Sequence, residues 1–284
     1  MAIKHWTNGA ADNLWATAGN WNGGVPGASD TAIIGSQSVA NINGATVTGP
    51  AKVDITDEYT GAIGSQGSNL IFNTNGPTEV NINGTGTTWI STSGVTISRC
   101  RVKSKNKGAQ AVNLAGTITD IIGLMGKINA LATLTVTTLR IEYALNAMAD
   151  VIMDIASGAT VTNIKARGGT LTSAAGCTEA WFTGGTQTFT QGNIVKLLMQ
   201  AATLLFNSSA GSIGSAGYLE IGPRGRLDLS RSGVARTIVN PVVAANGLID
   251  MSGVANAITV TGTPVLLGQN AEVRGFEGAV LMHK

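Results

Sequence analysis

The chain has 284 residues, of which 38 are glycine and only 12% are charged, against about 25% charged residues in average proteins. Its hydrophobic content of 43% is sufficient for a buried core and excludes a disordered low-complexity segment. The net charge of +2 is too small to predict nucleic-acid binding by the whole molecule. Abundant glycine, threonine, asparagine and β-branched residues favour short strands and tight turns, so we predict an all-β chain.

The first residues carry no targeting signal that we recognise. Residues 1–6 lack the apolar stretch that a secretion signal requires, and no run of about 18 apolar residues predicts a membrane-spanning helix. We therefore expect a protein that is made in a cytoplasm and does not bind a membrane.

A pair of turns precedes the first clear strand. Gly-Gly at 23–24 and Pro-Gly at 26–27 supply two consecutive turns, because glycine tolerates positive φ and proline fixes φ near −65°. Asp30 and Thr31 then begin the apolar strand at 32–34. From there the chain continues as short Val, Ile and Leu strands separated by glycine, a pattern that predicts a β-solenoid.

Three tryptophans, Trp6, Trp15 and Trp21, lie within 16 residues of one another. An uncovered terminal coil of a solenoid would expose strand edges and apolar surface, so it needs a cover. We predict that residues 1–60 form an aromatic-rich N-terminal cap and attachment region, and that residues 61–284 form the solenoid body. The alternative role for the three indoles is to anchor a docking surface, since tryptophan is enriched at binding hot spots.

A tetrapeptide and a run of apolar anchors both indicate coiling. Asn-Ile-Asn-Gly occurs at 41–44 and again 40 residues later at 81–84, a spacing that would equal two coils of about 20 residues. In residues 160–190, apolar anchors separated by glycine turns recur every eight to ten residues, as a three-sided coil would need. The inward anchors are Val161, Ile164, Leu171, Trp181 and Phe189.

The resulting fold prediction is a right-handed parallel β-solenoid, or β-helix. A β-sandwich stays open as the alternative, because sandwiches also place turns every 8–12 residues. Two segments, 139–156 and 195–202, are compatible with either helix or strand, since short apolar runs are not settled by periodicity.

The sharpest charge pattern is a set of cations at alternating positions, which we call the basic stripe. Its members are Arg99, Arg101, Lys103, Lys105 and Lys107. In a strand all five would project from one face. They either protect a strand edge from mispairing or dock on an acidic protein surface. No aromatic residues interleave with them as stacking platforms for nucleic acid would. Four further arginines are a candidate extension of this face: Arg224, Arg226, Arg231 and Arg236.

Few residues are available for catalysis or metal binding. Cys100 and Cys177 are predicted to be buried thiols, because a chain without an export signal rarely forms disulfides. The two histidines, His5 and His283, stand at opposite ends of the sequence. We expect no cofactor and no metal site.

Acidic residues provide the one route to an enzyme. Polysaccharide cleavage needs two carboxyl groups roughly 5–10 Å apart, and neighbouring coils of a solenoid could bring such groups together. Asp54, Asp57 and Glu58 cluster in sequence, but solvated turn residues explain them more simply. A polysaccharide depolymerase is therefore the minor alternative to a protein without catalytic activity.

The N-terminal segment resembles the opening of β-helical surface proteins. Trp-Thr-Asn-Gly at 6–9 and the Asn-Trp, Gly-Gly, Val-Pro-Gly and Asp elements of 20–34 carry the resemblance. Similar openings occur in bacterial adhesin passengers and in phage virion structural proteins. The resemblance implies a β-helix and carries no catalytic residues with it.

Among these classes, a phage structural protein made in the host cytoplasm fits the chain best. A single unit without a separate anchoring module indicates a capsid decoration (cement) protein that clamps neighbouring capsid subunits. The expected partner is the major capsid protein, and the expected assembly is a homotrimer in the virion. The alternatives are a tail fibre or spike-like component that binds a cell-surface glycan, and an exported bacterial adhesin fragment.

Overall fold

A computed structural model of the protein describes residues 1–142, 151–207, 211–230, 236–252 and 258–275. The chain is nearly all β, with 55% strand and 1% helix, and its parallel stacked coils form a β-solenoid of about 10 turns. The predicted β-solenoid is thus confirmed. The β-sandwich alternative is wrong, because sandwiches are built from antiparallel sheets whereas the stacked strands here pair in parallel.

The chain divides into two compact units, the first comprising Met1–Arg140 with Asp150–Asp154 and the second comprising Ile141–Ala149 with Ile155–Lys284. The proposed boundary at residue 60 stays a prediction. A 3-10 helix occupies Ala18–Asn20. The strands that begin in the first unit are β1 Ile3–His5, β2 Thr31–Ile34, β3 Ala45–Val47, β4 Lys52–Ile55, β5 Leu70–Phe72, β6 Glu79–Ile82, β7 Thr88–Thr92, β8 Thr96–Lys103, β9 Val112–Ile141 and β10 Val151–Ile155.

Two parallel stacks organise the first unit. One runs β1, β2, β4, β6, β8 and the middle of β9, and the other runs β3, β5, β7 and the start of β9. Alternate side chains point inward, so Val53, Val80 and Cys100 form one fully buried column across three coils. The residues between them face outward and build the surface described below.

The repeated tetrapeptide is not a structural repeat. Ile42 pairs with Ile63 in the neighbouring coil, whereas Ile82 pairs with Ile55 and Val102. The two copies therefore lie in different stacks, and the prediction that they mark two coils on one face is wrong. The reason is that coil length varies along this unit: Thr31 pairs with a residue 21 positions later, and the next step along the same stack is 27 positions.

The second unit contains the remaining strands. They are β11 Thr160–Ala166, β12 Thr170–Ser173, β13 Cys177–Phe182, β14 Thr186–Phe189, β15 Ile194–Met199, β16 Thr203–Phe206, β17 Ser212–Ile221, β18 Arg226–Asp228, β19 Arg236–Val239, β20 Pro241–Ala244, β21 Leu248–Asp250, β22 Ile258–Thr261, β23 Val265–Leu267 and β24 Glu272–Arg274. The stacks are β11–β13–β15–β17 and β12–β14–β16–β18–β21–β24, and β17 also pairs with β19 and β20.

Coils in the first part of this unit are shorter than predicted. Thr170 pairs with Thr186, only 16 residues later, so residues 160–190 make nearly two coils rather than one three-sided coil. Each of these coils has two strands joined by glycine turns. The prediction that Trp181 points inward is wrong by one residue: Phe182 is fully buried, and 46% of Trp181 is exposed. The other four predicted anchors are buried.

Both segments left open between helix and strand contain strands. Residues 194–199 form β15, and the described end of the first segment forms β10. Residues 143–150 of that segment lie outside the described residues. In both strands, every second or third side chain is buried in the core, which the helical interpretation of the sequence did not take into account.

Three phenylalanines stack inside the second unit. Phe189 on β14 pairs in register with Ser173, and its successor in the stack is Phe206 on β16. The ring centroids of Phe189 and Phe206 are 6.3 Å apart with a 29° interplanar angle, and Phe182 lies 6.3 Å from Phe189 on the other strand of the coil. All three rings are fully buried, so this aromatic column connects successive coils from within.

The predicted thiols are confirmed, because Cys100 and Cys177 are both free and buried. Burial in an apolar environment disfavours the thiolate and raises the pKa of each thiol to about 12. We therefore expect neither cysteine to react with an aromatic disulfide reagent in the native protein at pH 8, and both to react after denaturation in guanidinium. Rapid labelling of either thiol without denaturant would contradict the burial described here.

Candidate functional site

The three N-terminal tryptophans are interior residues. Trp6 and Trp15 are fully buried, and only 3% of Trp21 is exposed. Trp21 contacts the other two edge to face, with centroid distances of 5.2 Å to Trp6 and 4.7 Å to Trp15. Its Nε1 donates a hydrogen bond to the carbonyl oxygen of Trp15 at 2.7 Å. A partner cannot contact these rings unless the first coil opens, so the cluster acts by packing rather than as an exposed docking surface.

The basic stripe begins on β8, in the interior of a sheet. Cys100 and Val102 point into the core, and the stripe members between and beside them point outward. Strand β8 is paired on one side with β6 and on the other with β9. The interpretation of the stripe as protection of a strand edge is therefore wrong, because β8 has no free edge over its paired residues.

Neighbouring coils neutralise the first two members of the stripe. The guanidinium of Arg99 lies 3.6 Å from a carboxylate oxygen of Asp120, and that of Arg101 lies 3.9 Å from Glu79. Asp120 also contacts Arg140 at 3.0 Å. Charge of alternating sign is thus arranged along the stack, and this pattern contributes little to binding because its members satisfy one another.

Positive charge without such compensation remains at the end of the stripe. Lys103 is the last residue of β8, and Lys105 follows in the turn; both are exposed. Across the residues that the structure describes, neither side chain has an ion pair or hydrogen bond. Lys107 is exposed as well. These lysines differ in this respect from Arg99 and Arg101, although the sequence presents all five as equivalent.

A groove of about 870 Å³ runs beside the stripe on the outward face of the first unit. Acidic side chains from two successive coils line it: Asp54, Asp57 and Glu79. Cationic side chains line it as well: Lys52, Arg101, Lys103 and Lys105. The groove therefore carries both signs of charge, with Lys103 and Lys105 as its unpaired cations.

The acidic wall of the groove differs from the acid cluster predicted from sequence. Asp54 and Asp57 both line the groove, but its third carboxylate is Glu79 from the next coil rather than Glu58. Asp54 accepts a hydrogen bond from Asn81 Nδ2 at 2.6 Å and pairs with Lys52 at 3.2 Å. The sequence signal that would have identified Glu79 is its outward position in a strand of alternating pattern, directly beside the repeated tetrapeptide.

The second arginine set lies in the second unit, and its best-defined member is a structural residue. Arg226 pairs with Asp228 at 3.2 Å and with Asp250 at 3.0 Å. Each aspartate also accepts hydrogen bonds from the backbone and hydroxyl of the serine two residues later. Hydrogen bonds from Ser252, followed by the charge of Arg226, lower the pKa of Asp250 below its usual value. Arg231 lies outside the described residues.

No group of three His, Cys, Asp or Glu side chains suited to a metal ion occurs in the described parts of the chain. Within the same ranges, no helix is long and apolar enough to cross a bilayer. Comparison of the chain with protein-family models, with curated proteins and with solved structures finds no match in any of the three.

Proposed function

We propose that this chain is a non-enzymatic virion structural protein that decorates a capsid and docks through the end of its basic stripe. The observation that carries the proposal is the pair of exposed lysines, Lys103 and Lys105, which have no partner within the described residues. Charges arranged in this way speed encounter with an acidic surface and fix orientation. The proposed partner is the major capsid protein, met by a homotrimer of this chain.

The fold supports this role because it offers a rigid surface. Backbone groups of β8 are hydrogen-bonded to strands on both sides, so the side chains of the stripe are held at fixed positions. The buried column beneath them leaves little freedom for local rearrangement. The N-terminal resemblance to β-helical virion proteins adds to this support, and it favours no catalytic role.

Charge reversal of the two lysines tests the proposal. Particles stripped of this protein are incubated with the wild type or with the variant Lys103→Glu/Lys105→Glu, and occupancy is measured. We expect at least about tenfold weaker binding of the variant, because like charges facing each other across an interface cost several kcal/mol. Wild-type binding should also weaken as salt rises, since exposed charges are screened beyond about 8 Å at physiological ionic strength.

The matched control is Arg167→Glu/Arg274→Glu, which changes net charge equally at two exposed arginines of the second unit. It should bind as the wild type does. Equal loss in both variants would reduce the effect to net charge and refute the proposal, as would full occupancy by the lysine variant. Rebinding confined to tails would instead support the tail fibre alternative.

A further inference from the structure

A second surface with the features of a ligand site lies in the other unit. Trp181 on β13 and Tyr218 on β17 are each 46% exposed, which is unusual for large aromatic side chains on a strand. They flank a pocket of about 250 Å³, and the side chains of β15 form its floor. The pocket is smaller than the roughly 300–1,000 Å³ of sites for drug-sized molecules, so it matches a single ring.

The register of the strands explains how the pocket forms. Strand β15 lies between β13 and β17, so the two aromatic side chains stand on strands about 9–10 Å apart. Leu198 pairs in register with Trp181, and Lys196 pairs with both Glu179 and Tyr218. A half-buried leucine and a lysine stem therefore separate the two aromatic walls, which leaves room for one flat group between them.

One face of the indole is already occupied. Lys165 on β11 places its ammonium group 4.8 Å from the centre of the Trp181 ring. Strand β11 lies on the opposite side of β13 from β15, whereas every residue that lines the pocket comes from β13, β15 or β17. The lysine thus supports the ring from behind, and the other face of the indole is directed to the pocket.

The charges around the pocket cancel in pairs. Lys196 Nζ lies 3.1 Å from Glu179 Oε1, and the Tyr218 hydroxyl donates to Glu220 Oε2 at 3.1 Å. A strongly charged ligand would therefore gain no net attraction. The carboxylates retain free acceptor positions and the ammonium group retains free donors, so hydroxyl groups can be hydrogen-bonded from several directions.

We propose that this pocket binds one pyranose ring of a neutral glycan. The C–H face of the ring stacks on the free face of Trp181 and packs over Leu198, while ring hydroxyls hydrogen-bond to Glu179 and Lys196. Tyr218 closes the far side. This site is independent of the capsid-docking proposal, because it lies in the other unit and uses none of the basic stripe. A single ring of this size is expected to bind with a dissociation constant of about 1 mM.

Tryptophan fluorescence and ligand-observed NMR test this site with defined probes. The probes are neutral tetrasaccharides of glucose, galactose, mannose and N-acetylglucosamine, with oligogalacturonate as the charged comparison. At least one neutral probe should bind saturably and better than oligogalacturonate. Trp181→Ala should weaken that binding by about tenfold or more, and Trp181→Phe should retain part of it. Leu267→Ala, which removes an exposed apolar side chain elsewhere in the unit, should leave it unchanged.

Three outcomes would overturn the proposal. The first is the absence of saturable binding by every neutral probe. The second is binding that Trp181→Ala leaves intact, measured on protein whose circular dichroism matches the wild type. The third is self-association of the wild type that Trp181→Ala abolishes, because the pocket would then be a contact between two copies of this chain rather than a glycan site.

Discussion

Replacing Phe189 with alanine is expected to destabilise the second unit by about 3–5 kcal/mol, the usual cost of removing a buried aromatic ring. The side chain is fully buried, and its ring stands between those of Phe182 and Phe206. Neither neighbour can move into the space left behind without breaking the register of its own strand. The mutation therefore removes contacts from two coils at once and leaves a cavity.

Urea denaturation followed by circular dichroism measures this effect. The control is Thr188→Ala on the same strand, because Thr188 is the outward neighbour of Phe189. That change should cost less than about 1 kcal/mol. Because stacked coils unfold by nearest-neighbour contacts, the transition of the phenylalanine variant should also broaden. Equal midpoints for the two variants would contradict the aromatic column.

Replacing Gly86 with alanine is expected to cost about 3 kcal/mol or more, because the added methyl group cannot be accommodated. A Cβ at this position would stand 1.6 Å from the carbonyl oxygen of Gly61 in the preceding coil and 2.9 Å from that of Thr60. These are backbone atoms, so no side-chain rotation relieves the clash. The two glycines thus set how closely these coils approach in the first unit.

Gly67→Ala provides the comparison, since it introduces the same methyl group where nothing lies within 4 Å. Gly67 has a φ of +81°, so this variant is expected to lose about 1–2 kcal/mol from backbone strain alone. Expression yield, melting temperature and urea midpoint are compared for both variants. A Gly86 variant as stable as the Gly67 variant would show that the coils are not in such close contact.

Much of the fold follows from local chemistry. Positive φ at Gly23 and Gly24 and the strand that begins at Thr31 agree with turn and strand signals in the sequence. Alternation also predicts correctly that Cys100 and Val102 are buried while the residues between and beside them are exposed. These signals span two to eight residues, so a single sequence contains them.

Coil length could not be obtained in the same way. It depends on which residues stack across the solenoid, and these contacts join positions 16 to 27 residues apart. The repeated tetrapeptide therefore indicates two coils on one face when its copies belong to different stacks. Trp181 is a related case: its strand has buried residues at 177, 180 and 182, so the alternation slips by one position and reverses the expected direction of the indole.

The candidate docking site could be predicted only in part. The five cations of the basic stripe are visible in the sequence, but Asp120 and Glu79, which neutralise two of them, lie on other coils. Only the register of β6, β8 and β9 separates Arg99 and Arg101 from the unpaired Lys103 and Lys105. The aromatic pocket of the second unit had no sequence signal, because its walls come from residues 37 positions apart.

Electron microscopy of purified particles that carry this protein tests the proposed docking most directly. We expect density for the β-solenoid at regular positions over the whole capsid, with the outward face of β8 and the side chains of Lys103 and Lys105 against an acidic patch of a capsid subunit. Density confined to the tail would contradict capsid decoration. Capsid-wide density in which Lys103 and Lys105 face solvent would contradict the proposed docking surface.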